Sequence, residues 1–189
     1  MLLVPGFGGG LVCAVGVKLA KTRRPEKVVS LKMIKCIMVV NNQGKTRLLR
    51  FYYDVPLDRQ KHISQSIFRL VSTRVDDNCC SFVEEESLFG PDHKIIYRHF
   101  ATLFFVFVAD GAESELGILD LIQVFVTVLD SCFENVCELD LIYHFDRVNY
   151  ILDELVMAGM VLETNADLIL TAIRETKKLE QDGSTFGFG

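Results

Sequence analysis

A run of six consecutive apolar residues, LFFVFV at positions 103–108, constrains the fold of this chain more than any other segment. A strand with one face in water alternates between apolar and polar residues, whereas a strand covered on both faces has no need to alternate. The run therefore predicts a central strand. It also requires helices on both sides of the sheet that contains this strand.

Four further segments predict the strands that complete this sheet. Residues 33–40 and 46–53 are rich in apolar and β-branched residues, and the sequence NNQGK between them predicts a tight turn and hence a hairpin. Residues 81–85 predict a short edge strand, and residues 93–100 predict a strand that follows a Gly-Pro-Asp turn. The order of these segments predicts an α+β fold with a five-stranded antiparallel sheet packed between helices.

Periodic apolar residues predict four helices, from Asp58 to about Val75, from Glu115 to Phe133, from Leu139 to Met157 and from Ala166 to about Gln181. The helix over 115–133 has only a narrow polar stripe. We therefore expect it to be buried by its own sheet and by a further surface. In a chain of this size, that surface suggests a partner protein.

The two ends of the chain differ from the predicted domain. The apolar, glycine-rich start of the chain, MLLVPGFGGGLVCAVGV, is shorter than the ~18 residues of a membrane helix, and no positive charge precedes it as in a secretory signal. We expect residues 1–32 to form an atypical N-terminal extension without stable structure; the alternative is a weak membrane-surface element. We predict one domain over 33–181 and a frayed tail over 182–189.

The charge balance argues against a nucleic-acid partner. The chain has 20 Lys and Arg against 25 Asp and Glu, a net charge of −5 at pH 7. Six of the basic residues lie within 18–32, so the predicted domain is more acidic than the whole chain. An acidic body repels the phosphate backbone on which nucleic-acid binding depends.

The motifs of common enzymes and metal sites are absent from the sequence. The segment Gly44-Lys45-Thr46 resembles the end of a P-loop, but Val39 stands where its first glycine is required, and the loop joins two strands. The six cysteines form no C-x-x-C pair, so we expect free thiols and no metal site. We expect no catalytic residues, no enzyme activity and no cofactor, with a nucleotide-binding protein or an enzyme as the alternative.

Acidic residues lie close together in sequence at several places, as in Glu138 with Asp140 and Asp153 with Glu154. Two neighbouring carboxylates do not make an acid/base pair unless a cleft surrounds them. We predict that most of these residues are solvated or cap helices.

Three blocks of sequence resemble a known family. They are NNQGKTRL at 41–48, KIIYRHFATLFFVF at 94–107 and the segment 113–165, which contains NVCELDL. Together they are similar to the small, sigma subunits of clathrin-adaptor complexes, over residues 33 to about 178. ESELGILDLIQVFV and GMVLETN most resemble the sigma chains of the third adaptor complex, whereas residues 1–32 depart from the family.

The resemblance implies a longin-like fold and a place in a heterotetramer with a large delta-type subunit, a beta chain and a mu chain. Such complexes gather membrane cargo into vesicles. The resemblance thus implies a cytoplasmic protein, peripheral on Golgi and endosomal membranes and transport vesicles, in transport to lysosome- or vacuole-related organelles.

The resemblance also implies a binding site for acidic dileucine signals, of the form D/E-x-x-x-L-L/I, in the cytoplasmic tails of cargo proteins. The positions that match the family's leucine pocket are Ala101, Leu103, Val126, Asn135, Val136 and Leu141. Arg47 matches part of the basic site for the acidic residue, and the large subunit supplies the rest. From the residues alone, the apolar positions predict ordinary core and Arg47 a solvated strand residue. The alternative function is a longin-type scaffold of another coat or tethering complex, without cargo binding.

Overall fold

The computed structural model describes residues 33–73 and 82–183. The predictions for residues 1–32 and 184–189, and for the end of the first helix beyond residue 73, lie outside the described residues. The boundaries of the predicted domain stay a prediction.

The sheet has the five antiparallel strands that the sequence predicts. They are β1 (Ile34–Asn41), β2 (Thr46–Phe51), β3 (Phe82–Glu84), β4 (His93–Phe100) and β5 (Leu103–Asp110). Their spatial order is β2-β1-β5-β4-β3, so β5 lies at the centre and the segment 82–84 forms an edge. The long central strand pairs with β1 on one side and with β4 on the other.

The described part of the chain has six helices beside this sheet. They are α1 (Leu57–Ser72), α2 (Glu86–Phe89), α3 (Glu115–Phe133), α4 (Glu138–Tyr143), α5 (Phe145–Leu155) and α6 (Ala166–Gly183). A short hairpin of β6 (Val156–Met157) and β7 (Met160–Val161) lies between α5 and α6.

The two faces of β5 belong to two separate hydrophobic cores. Phe104, Val106 and Val108 pack in one core with the buried face of α1. Phe105 and Phe107 pack in the other with α3, α5 and α6. Successive side chains of a strand point to opposite faces, so an uninterrupted apolar run is what a strand between two helical layers needs. The predicted α+β architecture is therefore confirmed.

Helix α3 is partly covered by its own chain: one side packs in the core, while Leu116 is 74% exposed. Its buried residues share one core with Val148 and Leu152 of α5 and with Ile169 and Ile173 of α6. The helices after α3 fold back over one side of it, and the expectation of a partner protein at α3 stays a prediction. By length and composition alone α3 could span a membrane, but these contacts are those of a core helix.

The single helix predicted over 139–157 is two helices and a strand. The backbone of His144 leaves the helical region, with φ −116° and ψ 38°, and separates α4 from α5. The chain then turns back at Gly159, which has φ +81° and whose carbonyl accepts a hydrogen bond from the Ile34 amide at 2.8 Å. The apolar periodicity of 141–156 continues across these breaks, so it could not show where the helix ends.

Candidate functional site

Two β-turns lie side by side at one end of the sheet, which we call the turn end. The first joins β1 to β2 at residues 42–45, and the second joins β4 to β5 at Ala101 and Thr102. The amide of Asn42 donates a hydrogen bond to the carbonyl of Thr102 at 3.0 Å. Because β1 and β5 are antiparallel neighbours, the end of β1 and the start of β5 must meet here.

Helix α3 is oriented so that its C-terminal half lies near the turn end. Glu115, at the start of α3, forms an ion pair with Lys94 at a distance of 2.7 Å. Lys94 lies at the start of β4, so this pair is at the opposite end of the sheet from the turn end. Further along, Phe125 packs edge-on against Phe105 near the start of β5, with ring centroids 6.0 Å apart. The loop from α3 to α4 is thereby brought to the turn end.

Four of the six positions of the predicted leucine pocket belong to one hydrophobic cluster or pack against it. Leu103 and Leu141 are buried in it, with 6% and 1% of their surface exposed. Val126 and Val136 are half-buried and pack against the same cluster. Residues from β5, α3, the α3–α4 loop and α4 therefore contribute to one cluster, in which the two leucines are more deeply buried than the two valines.

The two remaining predicted pocket positions are exposed and have left-handed backbone conformations. Ala101 has φ 51° in the β4–β5 turn, and Asn135 has φ 80° in the loop after α3. A left-handed backbone costs a residue with a Cβ atom about 1–2 kcal/mol. It is less costly for asparagine, whose short polar side chain suits this region. Both side chains remain accessible to a ligand at the turn end.

Arg47 is the predicted contact for an acidic residue, and a carboxylate of the chain itself already pairs with it. Glu138 Oε1, in the first residue of α4, lies 2.6 Å from Arg47 Nε and 2.5 Å from Arg47 Nη2. The same oxygen accepts a hydrogen bond from Asn41 Nδ2 at 3.0 Å. The side chains of Arg47 and Glu138 are 20% and 27% exposed, so the pair lies at the edge of the core.

Asn41 was missed by the sequence analysis, although it organises this end of the sheet. Its side chain is 97% buried, and its Oδ1 accepts hydrogen bonds from the amides of Gln43 and Lys45 at 3.0 and 2.8 Å. An asparagine at the first position of a turn commonly accepts such hydrogen bonds. The asparagine in NNQGK could therefore have predicted the hydrogen bonds within the turn. Nothing in the sequence indicates the contact of Asn41 with Glu138, which is 97 residues away.

Among the clustered acidic residues, Asp140 caps a helix as predicted, whereas Glu138 and Asp153 form ion pairs that the sequence did not predict. Asp140 accepts a hydrogen bond from the Cys137 amide at 2.8 Å, which caps α4 and lowers the pKa of this carboxyl below its usual value. Glu138 instead pairs with Arg47, and Asp153 pairs with Arg50 of β2 at 2.5 Å. These pairs form only when the helices pack on the sheet, so spacing along the chain does not reveal them.

Two cavities of the described surface lie away from the predicted site. A cavity of about 450 Å³ is lined by residues of α5 and α6, including Arg147, Tyr150 and Lys177. A second, of about 310 Å³, is lined by Lys35, Arg59 and other residues. Within residues 33–73 and 82–183 no cluster of three His, Cys, Asp or Glu side chains could hold a metal ion.

Comparison with known proteins shows which proteins have a similar sequence and fold. The family model of the clathrin adaptor complex small chain matches residues 33–180. AP-3 complex subunit sigma-2 of Homo sapiens is 59% identical over 150 residues, which are 79% of this chain and 77% of the relative. The AP-3 complex subunit sigma of Dictyostelium discoideum is 53% identical over 152 residues, 79% of this chain and 88% of the relative.

More distant relatives and a structural comparison agree with this result. The AP-3 complex subunit sigma of Arabidopsis thaliana is 47% identical over 148 residues, 78% of this chain and 89% of the relative. A chain in a homology model of the full-length AP-3 complex in a stretched open conformation aligns with a TM-score of 0.62 at 39% identity. This alignment covers 82% of the present chain and 100% of the other.

Proposed function

The chain belongs to the clathrin adaptor complex small-chain family, and we propose that it binds acidic dileucine signals in cargo tails as the sigma subunit of a heterotetrameric adaptor. The resemblance to sigma chains of the third adaptor complex is confirmed, and so is the longin-like α+β fold. The family consists of structural trafficking proteins, and vesicle-mediated protein transport follows from membership.

The partners in this proposal are a large delta-type subunit, a beta chain and a mu chain. Exposed apolar side chains that a partner could cover are concentrated in the segment from α4 to the start of α6: Leu139, Ile142, Tyr143, Phe145, Met157, Met160, Val161, Leu162 and Leu168. Continuous exposed apolar surface is typical of protein interfaces. This distribution supports contact with a larger subunit.

The proposed route runs from Golgi and endosomal membranes to lysosome- or vacuole-related organelles. The chain acts on the cytoplasmic side, attached to membranes through the assembled complex. The support for this route is the AP-3 assignment of the relatives.

One observation carries the proposed cargo site: an arginine and a set of half-buried apolar side chains converge at the turn end. Arg47 supplies planar donors for a carboxylate, and Val126 and Val136 offer half-buried apolar surface on the same cluster as Leu103 and Leu141. A dileucine signal needs both features, because its acidic residue and its two leucines must be met together. Asn135 is exposed next to this surface and can pair with the backbone of an extended peptide.

The expected affinity suits a signal that is read reversibly. Full burial of a leucine side chain contributes about 1.5–3 kcal/mol, and part of this is offset by ordering the peptide and the side chains that contact it. A single signal therefore binds weakly. Several signals on one membrane raise the overall affinity, because each further binding event is intramolecular.

A scaffold without cargo binding is the second candidate, and the burial of two pocket positions favours it. Leu103 and Leu141 are 6% and 1% exposed, so neither contacts a ligand unless neighbouring side chains move. In the proposed site these leucines form the base, and Val126 and Val136 form the accessible walls. In the scaffold interpretation all four are core residues.

Fluorescence anisotropy with labelled peptides tests the proposal against this alternative. The chain is co-purified with its large partner and titrated with a peptide containing E-x-x-x-L-L, and a matched peptide with two alanines is the control. We expect binding that is lost with the alanine peptide. Equal binding of the two peptides by a folded complex would reduce the chain to a scaffold.

A further inference from the structure

The carboxylate of Glu138 occupies the position at which Arg47 would best bind the carboxylate of a ligand. Its Oε1 accepts hydrogen bonds from Arg47 Nε, Arg47 Nη2 and Asn41 Nδ2, at 2.6, 2.5 and 3.0 Å. Nε and Nη2 form one edge of the guanidinium, an edge that pairs well with carboxylates. The structure therefore contains a complete receptor for a carboxylate, and the occupant is a residue of the same chain.

We propose that Glu138 competes with the acidic residue of the cargo signal for Arg47 and so sets how strongly the site selects acidic signals. This inference rests on the proposed function. A cargo carboxylate that approaches Arg47 must either displace Glu138 or bind the remaining guanidinium donors beside it. In the second case two like charges share one arginine, which is unfavourable at such short range.

The surroundings of the pair allow the exchange. Arg47 and Glu138 are 20% and 27% exposed, so water and a ligand reach both side chains. Ion pairs of such accessibility stabilise a protein only slightly, so Glu138 can swing away without unfolding the site. Asn41 stays in position because the amides of Gln43 and Lys45 hold its side-chain oxygen. Its Nδ2 group thus remains a ready donor for an incoming carboxylate.

Peptide selectivity of the assembled complex tests the competition. Two labelled peptides, E-x-x-x-L-L and Q-x-x-x-L-L, are titrated against complexes with the natural chain, Glu138→Gln or Glu138→Ala. The ratio of their affinities measures what the acidic residue contributes. We expect both variants to raise this ratio by about threefold to tenfold. Without the charge of Glu138, Arg47 is available to the acidic residue of the peptide, and an ion pair of this accessibility is of modest strength.

Two further variants serve as controls. Glu134→Gln removes an exposed carboxylate at the end of α3, four residues before Glu138, and we expect it to leave the ratio unchanged. Arg47→Gln should lower the ratio to what the large subunit alone contributes, and Glu138→Gln should no longer change it. Melting temperatures of all complexes show whether a variant has changed the fold. Glu138→Ala keeps the test valid if the glutamine side chain retains the hydrogen bonds to Arg47.

The possible outcomes separate the inference from the function on which it rests. An unchanged or lowered ratio in both Glu138 variants overturns the inference, and a lowered ratio assigns to Glu138 the role of positioning Arg47. If the natural complex binds leucine and alanine peptides equally, the proposed function fails and the inference falls with it. A raised ratio in both variants, absent from Glu134→Gln, supports the competition.

Discussion

Arg47 and Glu138 form an ion pair with Nη2 and Oε1 2.5 Å apart, which joins the start of β2 to the start of α4 across 91 residues of sequence. The pair ties the helical layer to the sheet at the end where both β-turns lie. Asn41 adds a third donor to the same carboxylate oxygen. The charged part of the candidate site is therefore built from three separate segments, and it exists only in the folded chain.

A charge on the pocket wall should abolish recognition of leucines. We expect Val126→Asp to weaken binding of the E-x-x-x-L-L peptide at least about tenfold, because a carboxylate in an apolar pocket must lose its water. The matched control is Val124→Asp, since Val124 is also half-buried against the same core but lies two residues earlier on α3. Anisotropy titration gives the affinities, and thermal melting of both complexes reports their stability.

The two valines lie on different sides of the helix, because two residues correspond to a rotation of about 200°. A comparable loss of peptide affinity in both variants would attribute the effect to general destabilisation. Full binding by Val126→Asp would remove Val126 from the pocket.

Loss of the Asn41 side chain should destabilise the turn end. Asn41→Ala leaves the amides of Gln43 and Lys45 without their acceptor, so we expect the free energy of unfolding to fall by about 2 kcal/mol. Asn42→Ala is the control, because the Asn42 side chain is exposed and its backbone amide keeps its bond to Thr102. Pulse proteolysis of the complex in increasing urea measures both changes. Equal stability of the two variants contradicts the assigned role of Asn41.

Gly159 should not tolerate a side chain. Its φ is +81°, and a Cβ atom there would lie 2.5 Å from the carbonyl oxygen of Ile34. We expect Gly159→Ala to lower the free energy of unfolding by at least about 2 kcal/mol, because the left-handed backbone and the clash with fixed backbone atoms both oppose it.

Gly117 provides a matched glycine on α3. A Cβ atom at Gly117 would have its nearest neighbour at 3.5 Å, an ordinary contact with Ser114. Gly117→Ala should therefore be neutral or stabilise the helix by up to about 1 kcal/mol. Urea-dependent pulse proteolysis compares the two variants. A tolerated alanine at 159 would show that the β6–β7 hairpin can move away from β1.

The three cysteines among the described residues should react with alkylating reagents in the order of their exposure. Cys137 is exposed, Cys132 is half-buried and Cys36 is buried. Burial raises the pKa of the Cys132 thiol, and it raises that of Cys36 far above its ordinary value. Since the thiolate is the reacting form, we expect iodoacetamide at pH 8 to modify Cys137 first and Cys36 last. Peptide mass spectrometry after timed quenching measures the order, and rapid labelling of Cys36 would contradict the assigned core.

The sheet could be predicted from the sequence because its signals are local. The run at 103–108 has no polar residue, and the turn NNQGK contains both asparagine and glycine, so a few adjacent residues settle each element. The break between α4 and α5 gave no such signal, since apolar spacing continues through His144. The packing of α5 and α6 on one side of α3 was not predicted, because it depends on the tertiary fold.

The candidate site was only partly accessible to sequence reasoning. Its positions came from the family resemblance, and from the residues alone they predict ordinary core. That interpretation describes the burial of Leu103 and Leu141 correctly, but not the pairing of Arg47. Glu138 and Asn41 are 97 residues apart, so no spacing pattern could join them before the fold was known.

Photo-crosslinking locates the dileucine pocket most directly. A peptide of the form E-x-x-x-L-L, with the diazirine analogue of leucine at either leucine position, is irradiated with the assembled complex, and the crosslinked residues are identified by mass spectrometry. We expect adducts on this chain at the turn end, at 101–103, at 126 or at 135–141. An excess of the unlabelled leucine peptide should suppress them, but the alanine peptide should not. Specific adducts confined to another subunit would contradict the account.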